Sequence, residues 1–122
     1  MTLKDFLEKT ETDYRIHKER PCVFCADGSQ LSIQTTCADD GRSYNNFNII
    51  SYMKELDNDI MDTYRCTEEY FSSNKFGNID KNIMMFLYKN MPLYLNVPYN
   101  VVENLLERHG KIERIDHSSR LW

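Results

Sequence analysis

The fold is decided by a stretch that runs from residue 22 to residue 35 and reads Cys22-Val23-Phe24-Cys25-Ala26-Asp27-Gly28-Ser29-Gln30-Leu31-Ser32-Ile33-Gln34-Thr35. Two runs of strand-forming residues are separated by a short turn that contains Asp27 and Gly28. Asp-Gly between two such runs is the strongest short-range signal for a β-hairpin. In the second run, apolar and polar residues alternate, which predicts one buried face and one wet face.

Amphipathic helices are predicted at both ends of the chain. Thr2 and Asp5 form a capping signal, and the apolar residues that follow have helical spacing to about Lys9. Near the other end, Pro98 suits the first turn of a helix, and Gly110 suits the position just after its last turn. Between these two residues, one apolar stripe is formed by Val101, Val102, Leu105 and Leu106.

Shorter signals complete the predicted set of elements. Further strands are expected at 14–16, 47–52, 83–88 and 93–97. A helix is expected at 54–64, although 47–64 as a whole also fits one helical stripe; a polar turn is expected at 37–42 and a surface insertion at 66–80. The chain of 122 residues therefore predicts a single domain, 1–122, of the α+β class. We expect an antiparallel sheet of short strands with an N-terminal and a C-terminal helix packed on it.

The composition argues against several classes of protein. The chain is 41% hydrophobic and 12% aromatic, which is typical of a globular protein. It lacks the run of about 20 apolar residues that a membrane helix needs, and residues 1–5 do not resemble a signal peptide. We therefore expect a cytoplasmic protein without a membrane partner. A net charge of −4 argues against a nucleic-acid polymer as its partner.

The cysteines do not predict a metal site. Cys22 and Cys25 have C-x-x-C spacing, but both lie in the first strand of the predicted hairpin, where residues three apart point to opposite faces. Cys37 and Cys66 stand alone in the sequence. We expect buried structural thiols, without a metal, a cofactor or disulfides.

No catalytic motif is found in the sequence. His17, His109 and His117 are scattered, and the chain has neither a glycine-rich phosphate loop nor a serine-nucleophile or zinc-hydrolase signature. A non-catalytic binding role is therefore expected.

The charge along the chain points to a ligand site near the C-terminus. Six acidic and two basic residues occupy 54–69, whereas the C-terminal segment from residue 108 is basic. Its cations are Arg108, Lys111, Arg114 and Arg120, and its flanking aromatics are Tyr99 and Trp122. Guanidinium groups match phosphate oxygens, and aromatic rings stack on bases, so this set suits a nucleotide with a pyrophosphate. The alternative is that the basic segment only balances the acidic one.

Two motifs carry a resemblance to a known family. The motifs are Ser32-Ile33-Gln34-Thr35-Thr36 after the hairpin turn, and Tyr94-Leu95-Asn96-Val97-Pro98-Tyr99-Asn100-Val101-Val102 followed by Glu107-Arg108-His109-Gly110. They cover about thirty residues and resemble small phage proteins, most closely the first Thoeris anti-defence family, the phage sponges of a cyclic ADP-ribose signal. The chain departs from that pattern at Lys111, where a second glycine is expected, and at the inserted residues 66–80.

The resemblance implies a phage anti-defence protein that forms a homo-oligomer in the host cytosol. Such a protein sequesters a cyclic ADP-ribose-type nucleotide without cleaving it and so blocks the host immune effector. On physical grounds we expect the basic residues Arg108, Lys111, Arg114 and Arg120 to bind the phosphates. Stacking on the adenine is expected from Tyr99 or Trp122, and hydrogen bonds to a ribose or base edge from Asn96 or Asn100. The alternative is an anti-CRISPR-like inhibitor that contacts a host nuclease through the acidic residues 54–69.

Overall fold

The predicted hairpin is present in the computed structural model, which describes residues 1–36, 45–67 and 81–118. The strands are β1 (Cys22–Cys25), β2 (Gln30–Thr35), β3 (Asn46–Ser51), β4 (Leu93–Pro98) and β5 (Ile112–Asp116). The helices are α1 (Leu3–Lys9), α2 (Glu11–His17), α3 (Asn58–Met61), α4 (Lys81–Asn90) and α5 (Tyr99–Arg108), and a 3-10 turn (Asp62–Tyr64) follows α3. Among the described helices, none is both long and apolar enough to cross a bilayer.

The strands form one antiparallel sheet in the order β4-β3-β2-β1-β5. The hairpin turn closes with two local bonds: Gly28 N–H donates to Cys25 O over 2.9 Å, and Ser29 N–H donates to the Asp27 carboxylate over 3.0 Å. Gly28 has a φ of +90°, which glycine adopts without a steric penalty. The predicted α+β class, with helices near both ends of the chain packed on an antiparallel sheet, is confirmed.

One face of the sheet carries the main core. Cross-strand partners point to the same face, so the pairs Val23 with Leu31 and Ile33 with Ile49 share it. Helices α1 and α5 cover this face and bury their apolar stripes against it. The buried helical residues are Leu3, Phe6, Leu7, Val102, Leu105 and Leu106. Each such side chain contributes about 1.5–3 kcal/mol on full burial.

On the opposite face of the sheet, Ser32 of β2 and Cys22 of β1 are fully buried, and a second apolar cluster lies at the β4 end. There Cys66 and Leu93 are buried, and Tyr88 from α4 packs against them. Towards the β5 end, the outward pair Phe24 and Arg114 lies on the same face, half-buried and exposed respectively. The sheet therefore has one closed face and one partly open face.

Both predicted helix ends have the expected caps. Thr2 and Asp5 form a reciprocal capping box at the start of α1. At the end of α5, Gly110 N–H donates to Glu107 O over 3.2 Å and Lys111 N–H donates to Leu106 O over 2.8 Å. This is the Schellman arrangement, which satisfies the last carbonyl groups of a helix.

Two predicted strands are wrong, because both segments are helical. Residues 14–16 lie in α2, where the alternation of Tyr14 and Ile16 was too short to establish a two-residue period. The Tyr14 ring instead lies under the guanidinium of buried Arg20, which bonds to Leu7 O and Thr10 and so anchors the α1–α2 corner. Residues 83–88 lie in α4. The prediction of a strand failed there because a short apolar run has the same composition in a buried strand and in a helix.

Three other expectations need adjustment. The helix expected at 54–64 is reduced to α3 and the 3-10 turn, preceded by an extended segment. Strand β5 was not predicted, because its charged residues at 113, 114 and 116 hide the alternation. The polar turn at 37–42, Cys37 and most of the expected insertion, 68–80, lie outside the described residues. Cys22 and Cys25 are buried on opposite sides of β1, as expected.

The close approach of Gly110 to the hairpin generates a stability prediction. Gly110 has a φ of +82°, and an added Cβ would lie 2.9 Å from Ala26 Cβ. Gly28, at φ +90°, has nothing within 4 Å of an added Cβ and is the matched control. We expect Gly28→Ala to cost roughly 1–2 kcal/mol for the left-handed backbone alone. Gly110→Ala should lower the free energy of unfolding, measured in urea, by more than Gly28→Ala does. Equal losses in the two variants would show that the contact of Gly110 with Ala26 does not affect stability.

Candidate functional site

The most distinctive feature of the open face is a cation stacked on an aromatic ring. Arg114 on β5 is the direct cross-strand partner of Phe24 on β1. Its guanidinium carbon lies 4.0 Å from the centroid of the Phe24 ring. Within the described chain, the guanidinium makes no recorded hydrogen bond to another residue. The side chain of Arg114 thus contacts the ring, and the residue as a whole is exposed to solvent.

Beside this stack lies a surface depression of about 250 Å³. It is lined by Phe24, Asp27, Gly28, Ser29, Gln30, Tyr52 and Lys54. Tyr52 N–H donates to Gln30 O over 3.0 Å, which joins the segment after β3 to the hairpin. The ring of Tyr52 is 47% exposed, and the amine of Lys54 lies 3.2 Å from Ser29 Oγ. We call Phe24, Gln30, Tyr52, Lys54 and Arg114 together the Arg114 surface.

The turn that borders the depression is held by a buried histidine. His109 Nδ1 lies 2.5 Å from the Asp27 carboxylate and 3.2 Å from Ser29 Oγ. On the other side of the ring, Nε2 lies 3.2 Å from the Asp57 carboxylate. Both carboxylates receive a hydrogen bond at once when the ring carries a proton on each nitrogen. We call His109, Asp27, Ser29 and Asp57 the His109 clamp.

The clamp keeps Asp27 ionised. Partial burial acts to raise the pKa of Asp27, but hydrogen bonds from Ser29 and from the imidazole of His109 outweigh it. The net effect lowers the pKa to about 2. The Lys54 amine, 4.0 Å from the same carboxylate, adds a further favourable charge. The edge of the depression thus carries both a fixed anion and a cation.

The clamp lacks the geometry of a catalytic triad. In a triad, the imidazole contacts the acid through one nitrogen and the nucleophile through the other. Here Ser29 and Asp27 share Nδ1, Asp57 occupies Nε2, and the ring is buried. Burial also raises the pKa of the Cys25 and Cys66 thiols to about 11, which disfavours a thiolate nucleophile. The His109 clamp and the two buried thiols are therefore suited to stabilising the fold.

Three of the predicted cations are in the described structure, and they do not converge within one chain. Arg108 donates to the Asp59 carboxylate over 2.8 Å, and the Lys111 amine lies 3.9 Å from the Glu107 carboxylate. Arg108 belongs to α5, which covers the core face, whereas Arg114 projects from the opposite face. Arg120 lies outside the described residues. Of the predicted cations, Arg114 belongs to the Arg114 surface.

The predicted aromatic and amide residues are separated from Arg114. Tyr99 starts α5, and its ring packs 5.9 Å from the Phe47 ring; Asn100 is exposed on the same helix. Asn96 lies on β4, where its backbone N–H donates to Asn48 Oδ1 over 3.1 Å. Strands β4 and β5 are opposite edges of the sheet, roughly 19 Å apart at the usual strand spacing. Trp122 lies outside the described residues, and ligand binding by any of these residues stays a prediction.

Several members of the two groups escaped the sequence analysis. Phe24, Tyr52 and Lys54 were assigned only to predicted elements, and His109 was named only as one of three scattered histidines and in the motif that ends at Gly110. The alternation in the hairpin does put Phe24 on the face opposite Val23 and Cys25, so its outward direction was available. The pairing of β1 with β5 could not be predicted from the sequence, because it joins distant segments.

The described residues contain no group of three or more His, Cys, Asp or Glu side chains arranged to hold a metal ion. Comparisons with protein-family models, with curated proteins and with solved structures found no match to this chain.

The lowered pKa of Asp27 predicts how acid affects stability. Its ionised form contributes stability that is complete above the ordinary pKa of about 3.8 and is lost as the pH falls towards about 2. Asp27→Asn should therefore lower the free energy of unfolding at pH 7 and decline less than the wild type between pH 4 and pH 2. Urea unfolding across this range measures both effects. Parallel declines in the two proteins would contradict the clamp.

Proposed function

We propose that this protein is a phage anti-defence protein that sequesters a cyclic ADP-ribose-type nucleotide without cleaving it. The ligand binds at the Arg114 surface, and its removal from solution blocks the host immune effector that it activates. The family resemblance suggests this class of ligand. The chemistry of the surface is compatible with it, because a nucleotide offers both an aromatic base and anionic phosphates.

The observation that carries the proposal is the Arg114–Phe24 stack beside the depression. A guanidinium held by a ring keeps its charge and its N–H donors for a ligand, whereas the Arg108 guanidinium is bonded to the Asp59 carboxylate. Lys54 supplies a second cation and Tyr52 an exposed ring at the same surface. Charged groups, donors and rings that converge on one depression favour a nucleotide over a purely apolar ligand.

A role without turnover is supported by the state of the nearby reactive groups. The imidazole of His109 is engaged on both nitrogens, and Ser29 is buried beneath the turn. A general base needs an accepting atom, such as an imidazole nitrogen or a carboxylate oxygen, within hydrogen-bond reach of its substrate. The Asp27 carboxylate borders the depression, but hydrogen bonds from Ser29 and His109 lower its pKa to about 2 and make it a weak base, which suits sequestration.

We further propose that the protein works as a homo-oligomer. The depression is open to solvent, so one protomer covers a bound nucleotide on one side only. Small-molecule sites that bind tightly enclose most of the surface of their ligand, and a second subunit over the Arg114 surface supplies that enclosure. Light scattering with and without nucleotide measures the assembly size.

Binding to cyclic ADP-ribose tests the proposed function. Saturating ligand at a hundred times its dissociation constant should stabilise the fold by about 2.7 kcal/mol, seen as a thermal shift. Heating the complex should then release the nucleotide intact, as checked by chromatography. Recovery of a cleaved product would contradict sequestration and indicate an enzyme.

The location of the site is tested by alanine substitutions in calorimetry. Arg114→Ala should weaken nucleotide binding by about tenfold or more, since it removes a cation and a stacking group. Arg108→Ala is the matched control, because the Arg108 guanidinium bonds to Asp59 on α3 and is not part of the Arg114 surface. This substitution should leave the affinity unchanged. The opposite result would move the site to the end of α5.

A second candidate is an anti-CRISPR-like inhibitor that binds a host nuclease. One observation favours it: Ile83 and Phe86 are each 53% exposed and lie three residues apart on α4, on one side of the helix. Such an exposed apolar pair suits a protein partner. Replacing both with serine should then abolish inhibition of the purified nuclease and leave nucleotide binding intact. Loss of nucleotide binding with full inhibition would contradict this candidate.

A further inference from the structure

We infer that the Arg114 guanidinium is a stacking platform for a purine ring, and that phosphate recognition falls to Lys54. The inference rests on the proposed function and deepens it, because it assigns each part of the ligand to a side chain. It also changes the role expected for Arg114 from the sequence, which was to clamp phosphate.

The platform follows from the geometry of the stack. One side of the planar guanidinium is covered by the Phe24 ring at 4.0 Å, a distance that fits a parallel stacked contact. Phe24 and Arg114 are direct cross-strand partners, so the two strand backbones hold both groups in register. Arg114 as a whole residue is exposed to solvent. A purine placed on the other side of the guanidinium would complete a three-layer stack of ring, guanidinium and base.

The chemistry of arginine suits this role. Its guanidinium is planar, delocalised and weakly hydrated, so it stacks on aromatic surfaces, whereas the ammonium group of lysine is a compact, strongly hydrated charge. A flexible arginine loses conformational entropy when it orders on a base. Arg114 is already ordered on Phe24, which lowers that cost.

The remaining groups place the phosphates. The Lys54 amine lies at the edge of the depression, 3.2 Å from Ser29 Oγ. It is half exposed, so it can turn towards a phosphate without desolvation of a buried charge. The carboxylate of Asp27 lies 4.0 Å from the same amine, and its repulsion would keep phosphate on the solvent side of Lys54. The base is thereby directed to Arg114.

Substitutions that separate charge from planarity test the inference by calorimetry with cyclic ADP-ribose. Arg114→Lys keeps the charge but removes the plane, and we expect a roughly tenfold loss of affinity. Phe24→Leu, which removes the ring that orders Arg114, should cause a similar loss. Lys54→Met should weaken binding and reduce its salt dependence, since it removes a phosphate contact. Arg108→Lys, the same change at a guanidinium outside the surface, is the matched control.

A second set of ligands checks the assignment. Adenosine, which has a base and no phosphate, should compete weakly with cyclic ADP-ribose for the wild type. It should no longer compete for the Arg114→Lys variant. Ribose 5-phosphate, which has no base, should bind equally to the wild type and Arg114→Lys. Wild-type affinity in a folded Arg114→Lys variant would overturn the platform while leaving the proposed function intact. If the wild type binds none of these nucleotides, the proposed function itself fails.

Discussion

The contacts of one imidazole hold together the three segments that meet beside the depression. His109 joins the hairpin turn to the end of α5 and to the start of α3, and its partner Asp27 is 82 residues away in the sequence. Backbone bonds from Ala26 and Asp27 to the same helix end reinforce the junction. The close approach of Gly110 to Ala26 leaves no room for a side chain there. The turn that borders the depression therefore has a fixed position, which a small-molecule site requires.

The division of the sheet into two unequal faces explains where such a site can lie. The face under α1 and α5 is filled with apolar side chains. On the other face, the cluster of Cys66, Leu93 and Tyr88 occupies the β4 end. The β5 end presents Phe24 and Arg114 beside charged and polar groups. Because the sheet is covered unevenly, its exposed part presents a particular combination of an aromatic ring, cations and polar groups.

The sequence was most informative where a signal is local. The Asp-Gly turn, the capping box at Thr2 and the helix end at Gly110 are each determined by neighbouring residues, and all three are present. The errors at 14–16 and 83–88 arose because a short apolar pattern serves a helix and a strand equally well. The candidate site was harder to predict, since it depends on pairing between distant segments. Arg114 was named as a ligand residue, yet its partner Phe24 could be identified only once β5 was seen beside β1.

The strand order also has a consequence for how the chain reaches its final state during translation. Strand β1 is made early, but one of its two neighbours, β5, is the last of the described strands to be synthesised. Until then, β1 is an open edge with unpaired backbone groups, which is the kind of surface that drives misassembly between nascent chains. The described part of the sheet is complete only after β5 has been synthesised. The contact between the Phe24 ring and the Arg114 guanidinium forms only after the same step.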